Sequence, residues 1–157
     1  REAISRGDTA FVQSLGREVI RDSRISLITI VDKEGKVVGR GHSEKAGDSI
    51  LSQSNVRKAL AGEVSTGIEE GTLVKFSMRA GAPVRLDGQI VGSVTTGTDI
   101  TSADHAFVEG IKKDFGTECT IFQGDTRVTT TIMKDGQRAL GTKMDNPRVL
   151  DAVLAKC

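Results

Sequence analysis

Hydrophobic residues near the start of the chain recur with the period of an α-helix. Five of them share one stripe between residues 8 and 24, namely Phe11, Val12, Leu15, Val19 and Ile20. This spacing predicts an amphipathic helix over 8–24. Asp8 or Thr9 is suited to cap its first turn, and Ala3 and Ile4 extend the stripe toward the N-terminus. We therefore expect a long N-terminal helix.

From Ile25 the hydrophobic period changes to two, which is typical of β-strands. The elements expected here are, in order, strand 27–31, turn 32–35, strand 36–40, helix 54–61 and strand 65–70. Gly62 is a suitable stop for the helix, because glycine readily adopts the left-handed conformation that ends helices.

Two long strands are predicted next, over 74–85 and 89–100. The turn Leu86-Asp87-Gly88 between them is a strong hairpin signal. Pro83 has no amide hydrogen to donate to a sheet, so it suits a strand edge or a bulge.

A second unit is expected after Thr101. Its predicted elements are helix 102–115, strands 118–122, 126–133 and 138–143, and a closing helix 147–155. Ser102 is a candidate cap and Gly116 a candidate stop for the first helix. Strands and helices do not alternate along the chain, so a parallel doubly wound sheet is not expected. The pattern indicates an α+β fold, with an antiparallel sheet flanked by helices.

Composition is that of a globular protein, with 37% hydrophobic and 27% charged residues. The net charge is only +1, from 22 basic and 21 acidic residues. This balance gives no electrostatic argument for nucleic acid or an anionic membrane as a partner. Five Phe, no Trp and no Tyr leave few platforms on which bases could stack.

No run of apolar residues reaches the ~18 that a membrane span needs, and no signal peptide is visible. Because the first residue is Arg, we expect an excised piece of a longer chain whose membrane segments lie outside it. The two cysteines, Cys119 and Cys157, form no metal-binding motif. His42 and His105 alone cannot make a metal site, so no cofactor is expected.

One strand carries an unusual alternation of side chains. Lys75, Ser77 and Arg79 occupy one face, and Val74, Phe76 and Met78 occupy the other. The polar face is either a solvent-exposed side of the sheet or the floor of a pocket for a small anion. Alternation alone favours the solvent-exposed interpretation.

Sequence motifs of common enzymes are missing. There is no phosphate-binding loop, no Gly-x-Gly-x-x-Gly and no Gly-x-Ser-x-Gly. Ser77, His42 and Asp48 would be one conceivable hydrolase triad, but no local spacing brings them together as catalysis requires. We therefore do not expect an enzyme.

Three stretches carry a family resemblance: LITIVDKEGKVVGRGHSEKAGDSI, VKFSMRAGAPVRLDGQIVGSVTTG and ECTIFQGDTRVTTTIMKDGQRALGTK. They resemble the Cache sensor domains, extracytoplasmic PAS-like modules of bacterial chemoreceptors and histidine kinases. The first is similar to the family's first hairpin, and the second to a segment of citrate- and fumarate-sensing kinases. The third is similar to the opening of a second Cache module in methyl-accepting chemotaxis proteins.

The resemblance implies a PAS-like five-stranded antiparallel sheet in residues 1–100, with a long N-terminal helix and flanking helices. It implies a partial second Cache-like unit in residues 101–157, whose later strands would follow the end of this sequence. Such domains lie on the periplasmic, extracytoplasmic face of the cell membrane.

The same resemblance implies roles for residues on the polar strand face. Arg79 takes the place of the arginine that clamps the ligand carboxylate, and Ser77 sits beside it. Lys75 shares the face but has no family counterpart. An arginine fork matches a carboxylate with two hydrogen bonds, so the physical argument agrees with the resemblance.

Further site residues follow from the resemblance in other parts of the chain. His42 and Arg40 match a basic pair after the first hairpin. Thr95 replaces a family serine and keeps its hydroxyl. Gly71 and Thr72 match a loop whose backbone amides meet the ligand in citrate sensors.

Structural alternatives stay open for these residues. They are an ion pair of Arg79 with Asp48 or Glu70, a plain loop position for His42, solvation for Lys75, and strand propensity alone for Thr95. Arg127 in the second unit is expected to be structural.

The sequence therefore predicts a chemoreceptor sensor domain that binds a small ligand, a small organic acid above all, and transmits a conformational signal across the membrane. A homodimer is expected. The alternatives are the sensor domain of a histidine kinase, or a dimerisation module with no small ligand. A small hydrolase is a third, remote hypothesis.

Overall fold

A computed structural model describes residues 1–155 of the chain, the side chains of Val153 and Ala155 excepted. The chain divides into two compact units, Arg1–Asp99 and Ile100–Cys157. This division lies one residue before the domain boundary expected from the sequence. Cys157, one of the two cysteines noted above, lies outside the described residues.

The first unit is a single antiparallel sheet with helices on both of its faces. Its elements are α1 (Glu2–Ser5), α2 (Thr9–Asp22), β1 (Leu27–Asp32), β2 (Val37–Arg40), α3 (Ser54–Leu60), β3 (Ser65–Glu70), β4 (Phe76–Leu86) and β5 (Gln89–Asp99). The strand order is β2-β1-β5-β4-β3, and every neighbouring pair is antiparallel. The predicted α+β, PAS-like fold is confirmed.

The N-terminal helical region is divided, although the sequence predicts a continuous helix through Ala3 and Ile4. Gly7 has a φ of +66°, a left-handed conformation that breaks the helix and that glycine adopts without strain. The Asp8 carboxylate accepts the Phe11 N–H at 3.1 Å and caps the first turn of α2. The long helix therefore starts at Thr9, after a separate short helix.

The buried face of α2 also differs from the predicted stripe. Phe11 and Leu15 are 54% and 43% exposed, whereas Gly16 is buried. A Cβ atom on Gly41 would lie 2.4 Å from the carbonyl carbon of Gly16, so helix and strand approach backbone to backbone. Because α2 contacts the sheet through Gly16, Phe11 and Leu15 point away from the sheet. The hydrophobic pattern alone did not predict this orientation.

Two small hydrophobic clusters occupy the two faces of the sheet. The face under α1 and α2 contains Ile4, Val12, Ile30 and Val38. The face under α3 contains Val31, Val37, Ile50 and Val56. Consecutive β1 residues thus enter opposite clusters, as strand alternation requires. Both faces of β1 are therefore buried.

The hairpin of β4 and β5 confirms the predicted turn. Asp87 and Gly88 have φ values of +49° and +79°, the geometry that fits a two-residue hairpin loop. Pro83 pairs with Ser93 of β5. The pairing of β3 with β4 ends at Gly81, so Pro83 needs no amide hydrogen toward that side.

The second unit has two small two-stranded sheets, β6-β7 and β8-β9. Its elements are α4 (Ala106–Phe115), β6 (Thr120–Gln123), β7 (Thr126–Thr130), β8 (Met133–Lys134), β9 (Gln137–Arg138) and α5 (Pro147–Leu150), followed by a π-helical turn over Asp151–Ala155. No helix within residues 1–155 is long and apolar enough to cross a membrane.

Helix α4 starts four residues later than the sequence predicts. The Ser102 hydroxyl donates to the Asp104 carboxylate at 2.6 Å, and the same carboxylate oxygen accepts the Ala106 N–H at 3.2 Å. Asp104 rather than Ser102 therefore bonds the first turn. Gly116 ends the helix with a φ of +66°, as predicted.

Candidate ligand-binding site

The polar face of β4 is covered by protein, so its solvent-exposed interpretation is wrong. Arg79 is only 7% exposed, whereas Met78 on the opposite face is 41% exposed. Ser77 is also buried. Helix α3 packs over this side of the sheet. Arg79 therefore lies beneath the helix, although the alternation of polar and apolar residues favoured a solvent-exposed position. Lys75, which precedes the strand, is exposed.

Arg79 is held by three neutral acceptors. Its Nε donates to Ser77 Oγ at 2.6 Å, its Nη1 to Gln53 Oε1 at 2.8 Å, and its Nη2 to the Val74 carbonyl at 3.3 Å. Among the described residues, no carboxylate forms an ion pair with it. Burial lowers the pKa of Arg79, and the charge of Glu69 opposes this effect. The guanidinium still keeps its charge, because arginine does not deprotonate in proteins.

The backbone at Gly71 lies directly against this guanidinium. A Cβ atom on Gly71 would come within 1.9 Å of Arg79 Nη2 and 2.8 Å of the Val74 carbonyl oxygen. Only glycine leaves the Arg79 side chain where it is. Segment 71–74 is thus packed directly onto the Arg79 guanidinium.

Arg40 is equally buried, but its charge is neutralised within the protein. Its Nη1 and Nη2 donate to the two Asp48 carboxylate oxygens at 2.7 and 2.9 Å, and Nη1 also donates to the Lys45 carbonyl at 2.7 Å. The hydrogen bonds from Arg40 hold the pKa of Asp48 below its usual value. Arg40 therefore fixes the loop after β2.

His42 is oriented by one backbone hydrogen bond. Its Nδ1 lies 3.1 Å from the Ile28 carbonyl oxygen, and since a carbonyl only accepts, Nδ1 carries the hydrogen. Nε2 is then the nitrogen that gains a proton. Burial lowers the pKa of His42, and the charges of Arg40 and Arg79 lower it further, while the bond to Ile28 raises it. The imidazole is therefore held in its neutral form.

Thr95 lies on β5 beside the arginine strand. Its Oγ accepts a hydrogen bond from Asn55 Nδ2 at 2.7 Å. Thr29 of β1 is its cross-strand neighbour, and both side chains are buried. Two hydroxyls therefore line the sheet next to the two basic groups.

These groups surround one small cavity. Its polar wall is formed by Thr29, Arg40, His42, Gln53, Thr72, Arg79 and Thr95, and its apolar wall by Leu27, Ile50, Leu73 and Val74. The cavity has a volume of about 20 Å³, which is room for about one water molecule. Within the described residues, the lining contains no Asp or Glu.

The cavity brings together five of the eight residues predicted from the sequence: Arg79, His42, Arg40, Thr95 and Thr72. Ser77 braces Arg79, Gly71 packs behind it, and Lys75 is exposed outside. Gln53, Asn55 and Thr29 were not predicted. The neutral amide of Gln53, which immediately precedes α3, carries no sequence signal, since only the packing of this helix places it beside the arginine.

The conceivable hydrolase triad is not assembled. Ser77 Oγ accepts from Arg79, His42 bonds the Ile28 carbonyl, and Asp48 pairs with Arg40. Each group is engaged elsewhere, and catalysis would need them bonded to one another.

A five-stranded PAS-like sheet with a basic cavity under its helical cover is the arrangement expected of a Cache sensor domain. Residues 1–156 match the family described as the double sensory domain of two-component sensor kinase, dCache_3. The chain belongs to this family, which confirms the expected Cache sensor domain. Its members are ligand-binding signalling modules, not enzymes. No curated protein matches the sequence at a significant level.

Solved structures with the same fold come from several receptors. The E. coli DcuS sensor domain has a TM-score of 0.52 at 20% identity, covering 57% of this chain and 66% of that one. The V. cholerae histidine kinase DctB sensor domain has 0.64 at 10%, covering 83% and 53%. The Campylobacter jejuni chemoreceptor Tlp3 domain, in complex with 4-methylisoleucine, has 0.55 at 14%, covering 91% and 53%. The matches thus span half to two thirds of these structures.

Proposed function

We propose that this chain is the sensor domain of a bacterial membrane receptor and binds a small carboxylate beside Arg79. The observation that carries the proposal is a buried guanidinium with three neutral acceptors and, among the described residues, no ion-pair partner. A buried charge is costly without a counter-charge. A carboxylate in the cavity supplies that counter-charge.

The exchange of acceptors at Arg79 favours a carboxylate. The bonds from Arg79 to its neutral acceptors already have a charged donor, and a carboxylate acceptor adds the attraction of an opposite charge and a second, parallel bond to the fork. The ligand carboxylate therefore replaces Gln53 Oε1 or the Val74 carbonyl as the partner of the fork. His42 and the hydroxyls of Thr95 and Thr29 provide the remaining polar contacts, and Arg40 keeps its bond to Asp48.

A multi-carbon acid needs more space than about one water molecule occupies. Leu73 and Thr72 are exposed on the outer side of the cavity wall, and the Val74 carbonyl holds Arg79 with the longest of its three hydrogen bonds, 3.3 Å. We therefore assign the entrance to segment 71–74, which moves outward to admit the acid. Lys75 adds positive charge next to this entrance.

The lining favours organic acids over amino acids. Tlp3 was solved in complex with an amino acid relative, 4-methylisoleucine, whose ammonium group requires acceptors. In the present cavity the described lining offers two guanidinium groups, one imidazole and no carboxylate. An α-ammonium would face the uncompensated charge of Arg79 there, whereas an organic acid has no such group.

The receptor's output is proposed from the family and from its structural relatives. The family description names two-component sensor kinases, which favours a histidine kinase over the chemoreceptor predicted from the sequence. For a histidine kinase and for a chemoreceptor alike, we propose a periplasmic location and membrane anchoring through segments outside this sequence. Ligand binding would shift the domain between two conformations, to the extent that it binds one of them more tightly.

Thermal unfolding with a panel of acids tests the proposal. Acetate, lactate, succinate and citrate are compared with isoleucine, using the parent chain and Arg79→Gln. At least one acid is expected to raise the midpoint of the parent but not of Arg79→Gln. Arg85→Gln is the matched control, because Arg85 lies on the same strand but is exposed outside the cavity. If no acid raises the parent midpoint, the proposal fails.

Self-association is a second candidate function, favoured by the exposed Phe11 and Leu15 on α2. A homodimer through this helix face would bury both side chains. Sedimentation of the parent and of Leu15→Ser at several concentrations tests it. A concentration-dependent dimer that Leu15→Ser weakens supports it, and a monomer at all concentrations removes it.

A further inference from the structure

We propose that Asn55 fixes the Thr95 hydroxyl as a hydrogen-bond donor into the cavity, and so makes this wall selective for anions. The inference rests on the proposed function and deepens it. Asn55 touches no ligand in this account. It is a positioning residue that acts through Thr95.

Asn55 occupies a constrained place under α3. It is 2% exposed, and its backbone oxygen would lie 2.8 Å from a Cβ atom on Gly81. Its N–H donates to Glu69 Oε1 at 2.9 Å, so the carboxylate of β3 binds the first turn of the helix. This anchor is favourable at the positive end of a helix. The Asn55 side chain is thereby held against β5.

The hydrogen bond between the two side chains sets the direction of the hydroxyl. Asn55 Nδ2 donates to Thr95 Oγ at 2.7 Å, and a hydroxyl has one hydrogen and two acceptor lone pairs. One lone pair is thus occupied, and no described residue accepts the Thr95 hydrogen. The open direction next to Thr95 is the cavity that it lines. The hydroxyl therefore presents its hydrogen to whatever occupies the cavity.

A second observation separates this role from plain packing. The Asn55 Oδ1 atom is buried and has no hydrogen-bond partner within the described part of the chain. An unpaired buried oxygen lowers stability, and an aliphatic side chain of similar size would avoid it. What the amide gains in this place is the bond to Thr95.

The start of α3 then provides two amides with opposite tasks, Gln53 immediately before the helix and Asn55 in its first turn. Gln53 accepts from Arg79 and is the group that a ligand carboxylate displaces. Asn55 donates to Thr95 and stays in place, because the backbone bond to Glu69 does not involve the ligand. Thr95 therefore offers its hydroxyl hydrogen to an anion in the cavity, while Asn55 occupies one of the two lone pairs of that hydroxyl.

Binding titrations with side-chain variants test the inference. The probe is whichever of acetate, lactate, succinate and citrate binds the parent most tightly. Asn55→Asp keeps the shape but turns the bond around, since a carboxylate accepts the Thr95 hydrogen. It also adds a negative charge near the cavity, so its effect is compared with that of Asn55→Asp in a Thr95→Val background, where only the charge acts. We expect affinity to fall about tenfold or more, as for loss of one hydrogen bond to an anion. In a Thr95→Val background, Asn55→Ala is expected to cause no further loss.

Two controls accompany these variants. Thr95→Ser keeps the hydroxyl and is expected to keep the affinity. Thr96→Val changes the next residue, which points to the opposite face of β5, and is expected to bind like the parent. If Asn55→Asp does not fold, the contrast between Thr95→Ser and Thr95→Val decides, and equal affinity in those two overturns the inference.

The outcomes separate this inference from the proposed function. If the parent binds one of the acids and a folded Asn55→Asp variant binds it equally well, the role of Asn55 is refuted and the proposed function stands. In that case the Thr95 hydroxyl would donate its hydrogen to the side chain of residue 55 in the parent as well as in the variant. A parent that binds none of the acids removes the proposed function and this inference with it.

Discussion

Arg79 and Arg40 are two buried arginines of one cavity with opposite electrostatic situations. Arg40 has a carboxylate partner, and its fork onto Asp48 closes a local loop. Within residues 1–155, Arg79 has only neutral partners. The first arrangement is a structural ion pair, and the second is a charge that a ligand can complete. Because of this contrast we propose the ligand at Arg79 rather than at both arginines.

Protonation of His42 is expected to be coupled to acid binding. Burial lowers the pKa of His42 from 6.5, and Arg40 and Arg79 lower it further. A ligand carboxylate opposes these charges, so binding raises the pKa and takes up a proton. Affinity should therefore increase as the pH falls through the pKa that His42 has in the bound state. Calorimetry in buffers of different ionisation enthalpy measures the uptake, which His42→Gln should abolish.

The same shift has a consequence for stability with no acid added. A folded-state pKa below the unfolded value means that the unfolded chain binds the proton first. The contribution of neutral His42 is present above pH 6.5 and is lost as the pH falls through the lowered pKa. His42→Gln should flatten this part of the stability profile. An unchanged profile, with no proton uptake on binding, would contradict the assignment of His42.

At the residue scale, the sequence predicts which side chains share a face but not which face is covered. Alternation alone placed Ser77 and Arg79 together correctly. It favoured a solvent-exposed position for both side chains. That was wrong because α3 covers them, and the packing of this helix on the sheet cannot be read from the local sequence. Gln53 and Asn55 were missed for the same reason.

Elements approach one another at glycines in the first unit, and segment 71–74 is the clearest case. We expect Gly71→Ala to displace the Arg79 guanidinium, because the new Cβ would lie 1.9 Å from Nη2. Acid affinity should fall about tenfold, the value of one charged hydrogen bond. Titration of the parent and the variant measures it. Gly67→Ala is the control, since nothing lies within 4 Å of its Cβ, and equal affinity in both variants would refute the contact.

Helix α2 packs on β2 through Gly16, which gives a second element-scale prediction. A Cβ atom there would lie 2.8 Å from the Gly41 Cα, so Gly16→Ala should destabilise the fold by about 1–3 kcal/mol. Gly110→Ala in α4 meets nothing within 4 Å and should stabilise by up to about 1 kcal/mol through helix propensity. Urea unfolding measures both. A stabilising Gly16→Ala would show that the helix does not pack this closely.

Most element positions were predictable from the sequence, since hydrophobic period and turn residues are local. The hairpin turn at Asp87 and Gly88 and the helix stop at Gly116 are examples. The start of α4 was not, because Ser102 and Asp104 compete for the same cap and the carboxylate bonds the helix. The break at Gly7 was missed because the hydrophobic stripe continues across it.

On the scale of the whole molecule, the chain is a Cache sensory domain whose first unit carries the candidate site. The family match covers both units, residues 1–156, while the cavity is lined by the first unit alone. We therefore expect ligand recognition to be a property of residues 1–99. No described residue of the second unit lines the cavity.

The most direct test of this account is a calorimetric titration of the parent and of Arg79→Gln with the acid that stabilises the parent most. The account predicts one acid bound per chain, with affinity at least about tenfold lower in Arg79→Gln. Equal affinity in the two chains, or no binding to the parent, would contradict the claim that this buried guanidinium is the anion receptor.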